Sequence, residues 1–541
     1  MIKALVIGLD GATFRVLTPL MAAGYMPNLK RLLAGSAQGP LASTVPPITA
    51  LAWSTFMTGN DPGRHGLLSW QGPLNERFER PWVSGQAIAG TKLWHILGQE
   101  GLRTCVYNVP VTYPPEPLNG VMVSGLLTPG IDAPFTYPEP LRETLLSVFP
   151  DYQIDIDIQH TERDIQNPTE MVRFLDEACR VTQRRGEVLR WLLEREPFDV
   201  AVAVFELPDR LQHILWRYIA CLPNSLDGFP MAEMVRDRLL SGFTLLDQEL
   251  GQLLALLSDD AYTILLSDHG FGPIDTMVHL NHWLAAQGWL AFDRRRAGSR
   301  ELLRRAGRLF RRWLPASMMR RARASFPVLQ TLDWTRTVAY AGLPSECGIF
   351  LNVQGREPAG IVAPGEYDRR REEIIAGLLA WQDPRTGASV IRAAHRREAL
   401  YHGPYVERAP DIVLEFAPGY HVAYRPFRGN ILEDVSHLPW GFHERAGIFA
   451  IAGPGVWSGA DLREAHIRDV MPTVLYALDL PIPTGLDGRV LAEVFTPAHR
   501  RERPIRYTEA LPAAPTGIQG DFTSVEADKL ASRMRGLGYL E

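Results

Sequence analysis

The sequence predicts a layered α/β fold, an α/β/α sandwich around a mostly parallel central sheet, and three observations carry that expectation. Short apolar runs recur at Lys3–Leu9, Asp199–Phe205, Ala261–Leu266 and Gly447–Ala452, and runs of this kind suit strands buried on both faces. Helical patterns at Glu187–Glu194, Met231–Leu257 and Ile467–Leu478 separate them, an alternation that belongs to helices covering a parallel sheet. Three of the runs lead into carboxylates, Asp10, Asp209 and Asp268, at the strand ends where such sheets place their ligands.

The chain has 541 residues, 46% of them hydrophobic and 22% charged, an ordinary globular balance. A net charge of −5 gives no global attraction to nucleic acid or to an anionic membrane, so a nucleic-acid polymer is not an expected partner. Cys105, Cys179, Cys221 and Cys347 show no CxxC pairing, a spacing that supports neither a disulfide framework nor a cysteine zinc site and fits a reducing cytosol. The N-terminus enters its first apolar run without the longer hydrophobic region of a signal peptide. No stretch approaches the roughly 20 apolar residues of a membrane span. The expected location is cytoplasmic.

Residues 1–290 and 330–500 are read as one discontinuous catalytic core, interrupted at 291–329 by an Arg-rich helical insertion and followed at 501–541 by a wrapping tail with a short helix near Ala527–Leu537. From Arg294 to Arg323 the chain holds twelve arginines, one acid (Glu301) and no lysine. Leu302, Leu303, Ala306, Leu309, Phe310, Trp313 and Leu314 recur at helical spacing with arginines between them, the pattern of a basic amphipathic helix. The expectation is a core-packed cap whose arginines partly face the substrate entrance, because the planar guanidinium matches phosphate oxygens. Peripheral contact with an anionic membrane is the competing reading of the same helix.

The chemistry-bearing residues cluster at element ends. Asp10, in Gly8-Leu9-Asp10-Gly11, suits a metal ligand or, equally, a turn. Thr49 follows Pro46-Pro47-Ile48 and precedes a helical stretch, Ala50–Met57, so it is expected as that helix's N-cap, its hydroxyl beside the positive helix end. In Pro208-Asp209-Arg210-Leu211-Gln212-His213, a helical i, i+4 spacing puts a carboxylate and an imidazole on one face. They suit a zinc ion or an Asp–His hydrogen bond. Asp268-His269-Gly270 ends a strand with two adjacent ligand types, and buried carboxylates are rarely left unpaired. His443, in Gly441-Phe442-His443-Glu444, taken alone reads as a loop histidine. Together the three aspartates, three histidines and one hydroxyl form the inventory that two metals about 4 Å apart use for in-line displacement at phosphorus.

In their order, Asp10, Thr49, Asp209-x-x-x-His213, Asp268-His269 and His443 resemble the alkaline phosphatase superfamily, and within it the type I phosphodiesterase/nucleotide pyrophosphatase branch. The likeness runs from Gly8 to the Gly447–Gly455 strand and turn, and the trailing Leu537-Gly538-Tyr539-Leu540 is also of the family's kind. The resemblance implies two divalent metal ions, zinc being expected. Asp10, Thr49, Asp268 and His269 would hold one, and Asp209, His213 and His443 the other. It implies an anionic phosphate-ester substrate, Thr49 as nucleophile, and a covalent phosphothreonine hydrolysed by water from the leaving-group side. One departure is visible. The family's pyrophosphatases carry a phosphate-binding asparagine shortly after a His-Gly pair, whereas His65-Gly66-Leu67-Leu68-Ser69-Trp70-Gln71 has none; Ser69 or Gln71 is the available substitute.

Other functions compete. A phosphomutase or phosphonate hydrolase of the same superfamily shares this core, but the phosphomutases use a serine nucleophile and a large early insertion, which is not seen here. A sulfatase lacks its Cys/Ser-x-Pro-x-Arg context. A docking protein using the Arg-rich helix would not require the full ligand set. The sequence leaves oligomeric state open.

Overall fold

A computed structural model of the chain describes residues 2–156, 167–226, 228, 231–293, 328–423, 430–460, 462–509 and 522–536. Numbered along the chain, nine strands form the main sheet in the order β17 (Ala465–His466), β2 (Ala37–Ala42), β16 (Ala446–Ala452), β7 (Tyr262–Leu266), β1 (Ala4–Leu9), β6 (Val200–Phe205), β3 (Thr104–Tyr107), β4 (Gly120–Val123) and β5 (Thr136–Tyr137). β7, β1, β6, β3 and β4 are parallel neighbours, whereas β16 is antiparallel to both β7 and β2. Every residue of β1, β6 and β7 is buried, as continuous apolar runs covered on both faces require. Helices Pro168–Arg195 and Ala232–Leu254 pack on each other, each burying one apolar stripe. This is the layered α/β architecture expected.

The registers set the site. Leu9 pairs with Phe205, and Gly8 with Leu266, so three adjacent parallel strands end level. They release Asp10, Asp268 and, one helical turn into Leu207–Ile219, Asp209. Gly8 is dictated by close approach: a Cβ there would lie 2.2 Å from the Trp53 ring, which packs on β1 from the Thr49–Thr58 helix. Gly8→Ala is therefore expected to cost about 1–3 kcal/mol, the usual range for overpacking a dense core. A lowered thermal midpoint with an unchanged apparent mass would register it.

The chain after His269 enters β8 (Gly270–Val278), which leads out of the main body into a second hydrophobic cluster drawn from residues 278–422. That cluster holds β9 (Ala339–Ala341), β10 (Gly348–Leu351), β11 (Ile391–Arg396) and β12 (Ile412–Phe416) as an antiparallel sheet ordered β11-β12-β10-β9, with helix Tyr367–Leu379 against β11. β13 (Gly419–Val422) then pairs with β8 in parallel, and β14 (Leu432–Asp434) and β15 (Gly441–Glu444) pair with it antiparallel. The main body grips this second cluster at the 70–82 hairpin. Phe78 stacks on Trp334 with centroids 4.9 Å apart, and Arg80 pairs with the buried Glu346. Tyr405 N–H also donates to Gly63 O at 2.9 Å, in the segment that follows the Thr49–Thr58 helix.

The expected tail helix spans Ser524–Gly536 and buries Leu530 and Met534, while Arg533 donates to Thr128 O at 2.7 Å. The Arg-rich stretch Arg294–Arg323, with its expected helix, and the terminal Leu537-Gly538-Tyr539-Leu540 lie outside the described residues. Among the described residues no helix is long and apolar enough to cross a membrane.

Candidate metal centre

The structure brings all seven sequence-derived site residues together. Thr49 opens its helix as the first helical residue; the N-cap is Ile48, which makes no side-chain cap. Thr49 was expected as the cap itself. Its hydroxyl instead lies 3.1 Å from His269 Nε2, so the side chain is turned toward the sheet edge. Asp209 and His213 share one face of their helix as the spacing requires, with His213 Nε2 3.3 Å from Asp209 Oδ1. His443 arrives on β15, directly opposite Phe271 in β8. That pairing seats it next to the Asp268-His269 strand end.

Outer contacts aim these groups. Trp53 Nε1 donates to Asp10 Oδ2 at 3.2 Å, and Gly11 N–H to Asp268 Oδ1 at 3.2 Å. Gly11 turns with φ +69°, and a Cβ there would press on Phe271 and the Asp209 backbone, so only glycine fits. His269 Nδ1 donates to Gly270 O at 3.1 Å, and His443 Nδ1 to Pro47 O at 2.8 Å. A carbonyl can only accept, so both rings carry their proton on Nδ1 and present the Nε2 lone pair inward, the usual way a ligating histidine is held.

Distances then test whether a cation fits. Asp209 Oδ1 lies 3.3 Å from both His213 Nε2 and His443 Nε2, and those two nitrogens are 3.1 Å apart. Ligands at about 2.0 Å from a tetrahedral ion stand roughly 3.3 Å from one another, so this triangle has the edges of a tetrahedral cation site. On the other side, His269 Nε2 is 3.2 Å from Asp268 Oδ2 and 3.7 Å from Asp10 Oδ1. The donor atoms of Asp10, Asp268 and His269 lie within 4.8 Å of one another, as do those of Asp209, His269 and His443. Oδ1 of Asp10, Oδ1 of Asp209 and Oδ2 of Asp268 are buried and take no hydrogen bond among the described residues. Dry carboxylate oxygens facing imidazole lone pairs repel unless positive charge lies between them. The residues fit divalent cations.

Electrostatics agree. Burial, then the charge of Asp209, pushes the Asp268 carboxyl up to about 8. Burial with Asp268 and Asp209 raises Asp10 well above its usual value. Burial lowers His269 strongly and brings His443 down to about 4. Against burial, His213 and Arg210 hold Asp209 well below the ordinary carboxylate range. A raised carboxyl binds its proton more tightly folded than unfolded, so its contribution to stability is lost as pH rises toward its folded value. The lowered histidines act only below their ordinary value of about 6.5. Chelator-treated protein is therefore expected to lose thermal stability between about pH 6.5 and 8, through Asp268 and Asp10. Zinc-supplied protein should gain stability over the same window, because the cations replace those protons. Melting curves at pH 6.5 and 8, with and without chelator, check both signs.

Several neighbours carried no sequence signal. Arg210 is fully buried against Asp209 and Asp155, and its partner 55 residues away could not be inferred from spacing. His421 on β13 sits against Phe442 with ring centroids 3.6 Å apart, and burial, His443 and His213 lower it to about 3. Of the substitutes for the absent asparagine, Ser69 Oγ accepts the Gln71 N–H at 3.4 Å, and Gln71 belongs to the hairpin that grips the second cluster.

A level row of carboxylates and histidines at the end of a doubly covered parallel sheet forms a candidate divalent-metal centre. The family model described as type I phosphodiesterase / nucleotide pyrophosphatase matches residues 4–434, and the chain belongs to that family of phosphoric ester hydrolases, within the alkaline phosphatase superfamily. No curated protein matches it in sequence. Phosphonoacetate hydrolase from Sinorhizobium meliloti 1021, solved with phosphonoformate and with phosphonoacetate, is similar at a TM-score of 0.54 and 15% identity, over 88% of this chain and 95% of that one. Murine ectonucleotide pyrophosphatase/phosphodiesterase 5 gives 0.48 and 12%, over 91% and 100%. The first likeness establishes the alkaline phosphatase-like fold.

Proposed function

We propose that the chain hydrolyses phosphate esters of the phosphodiester or nucleotide pyrophosphate kind through a covalent phosphothreonine at Thr49, with two zinc ions. Asp10, Thr49, Asp268 and His269 would hold one ion, and Asp209, His213 and His443 the other. The observation that carries this reading is the Thr49 hydroxyl, at the first turn of its helix and 3.1 Å from Nε2 of His269, the histidine common to both donor sets. When bound, the ions supply the charge that acidifies that hydroxyl and neutralises phosphoryl oxygens.

The chain's own residues do the positioning. The first turn of the Thr49 helix, with its positive dipole end, would face an incoming anion. Thr49 Oγ forms the new P–O bond as the bond to the leaving oxygen breaks, and its proton passes to solvent. Water then attacks phosphorus from the leaving-group side, which releases phosphate or a monoester and restores the hydroxyl. Asp10 and Asp268, held by Trp53 and Gly11, stay fixed through both steps.

An aryl phosphate diester, an aryl monoester, a dinucleotide pyrophosphate and phosphonoacetate, each supplied with zinc, test the reading. Turnover of phosphate esters, with label trapped on Thr49 after acid quench, is expected. Consumption of phosphonoacetate alone would replace it with phosphonate hydrolysis.

A further inference from the structure

The buried Arg210 has no place in the scheme above, yet all three of its guanidinium nitrogens donate to carboxylates. Asp209 and Arg210 are consecutive in the first turns of helix Leu207–Ile219, where neighbouring side chains normally diverge by about 100°. Here Arg210 folds back so that one terminal nitrogen donates to Asp209 Oδ2. Its Nε and other terminal nitrogen donate in parallel to Asp155 Oδ1 and Oδ2 at 3.1 and 2.9 Å. The side chains of all three are at most 1% exposed. Asp155 is itself fixed by the Ile156 N–H at 2.8 Å. Asp209 thereby divides its oxygens: Oδ2 is tied to the guanidinium, and Oδ1 alone faces His213 and His443.

We infer that Arg210, clamped by Asp155, is a positioning residue that restricts Asp209 to one ligating oxygen and aims that oxygen at the His213–His443 pair. The inference rests on the proposed role of Asp209 as a cation ligand. A carboxylate free at both oxygens can swing or bind a cation through both; one held at Oδ2 by a bidentate-anchored guanidinium does neither. The paired Asp155 matters because it offsets the charge of Arg210, which would otherwise compete with the cation for Asp209.

Charge and positioning give opposite signs in one variant. Arg210→Gln removes a positive charge beside a cation site, so a purely electrostatic role would tighten metal binding. Positioning requires it to weaken. Arg210→Gln, Arg210→Lys and Asp155→Asn are each expected to weaken zinc at one of two sites by roughly 10- to 100-fold, the usual effect of losing an outer-shell partner, and to leave the second site unchanged. Zinc competition against a chromophoric chelator on the full chain reads each site without relying on activity. Arg210→Lys keeps the charge and loses the fork, so unchanged affinity in that variant overturns the inference, as does tighter binding in Arg210→Gln. Should an Arg210 variant fail to fold, Asp155→Asn, which preserves volume, still puts the inference at risk, because unchanged affinity there overturns it. Asp209→Ala separates the two ideas. If it leaves zinc stoichiometry at the wild-type value, the ligand assignment itself falls. If it loses one zinc while the Arg210 and Asp155 variants bind normally, only the positioning role falls.

Discussion

Thr49→Ala is expected to lower kcat by roughly three orders of magnitude or more, the scale on which removal of a covalent nucleophile acts, while both zinc ions stay bound. The separation follows from the site's construction. Asp10, Asp268 and His269 are each held by contacts that do not involve the hydroxyl: Trp53 on Asp10, the Gly11 N–H on Asp268, and Gly270 O on His269. Removing Oγ leaves those three donors in place. Thr49→Ser keeps the oxygen at the same helix position and should retain much of the activity, with label still trapped on residue 49. Near-wild-type turnover by the alanine variant would remove Thr49 as nucleophile, whatever the metal content.

The second large effect concerns the two donor sets. Asp209→Ala or His213→Ala should empty one zinc site and Asp268→Ala the other, with activity lost in all three. Each loss should exceed the roughly 10–100-fold penalty attached to outer-shell partners. The two sets are not fully insulated, because His269 lies within 4.8 Å of donors from both and its ring stacks on His443 with centroids 3.5 Å apart. His269→Ala is accordingly expected to disturb both sites, unlike the other variants. Elemental analysis after dialysis gives the stoichiometry, and a constant value of two across Asp209, His213 and Asp268 variants would sink the assignment.

How much of this was legible in the sequence follows from how local each signal is. β1, β6 and β7 are uninterrupted apolar runs, and their carboxylates follow within one to four residues, so the strand ends and Asp10, Asp209 and Asp268 could be read directly. The Asp209–His213 pair is legible because helical periodicity alone brings i and i+4 together. His443 is different. Its strand is four residues long and its position depends on pairing with β8, 172 residues earlier in sequence by the Phe271 register, which no local pattern encodes. The same limit hid Arg210, whose meaning lies in Asp155, and His421, whose meaning lies in Phe442. Thr49 was misplaced by a single residue at a helix boundary, yet its orientation, set by His269 rather than by capping, is what differs physically. The second hydrophobic cluster escaped because its strands are short and partly exposed, without the doubly buried signature of the main sheet.

The pairing of β8 with β15 has a consequence for how such an enzyme diversifies. Gly270 pairs with Glu444 and Pro273 with Gly441, so the long excursion between them is zipped shut at its base, immediately beyond His269 and immediately before His443. Lengthening a closed loop costs little, about 0.6 kcal/mol for each doubling, and the two histidines are fixed by the stem rather than by what hangs from it. The excursion is closed by this stem and held again at the 70–82 hairpin and at Gly63, so away from those contacts its interior is expected to tolerate rewriting while His269 and His443 keep their register.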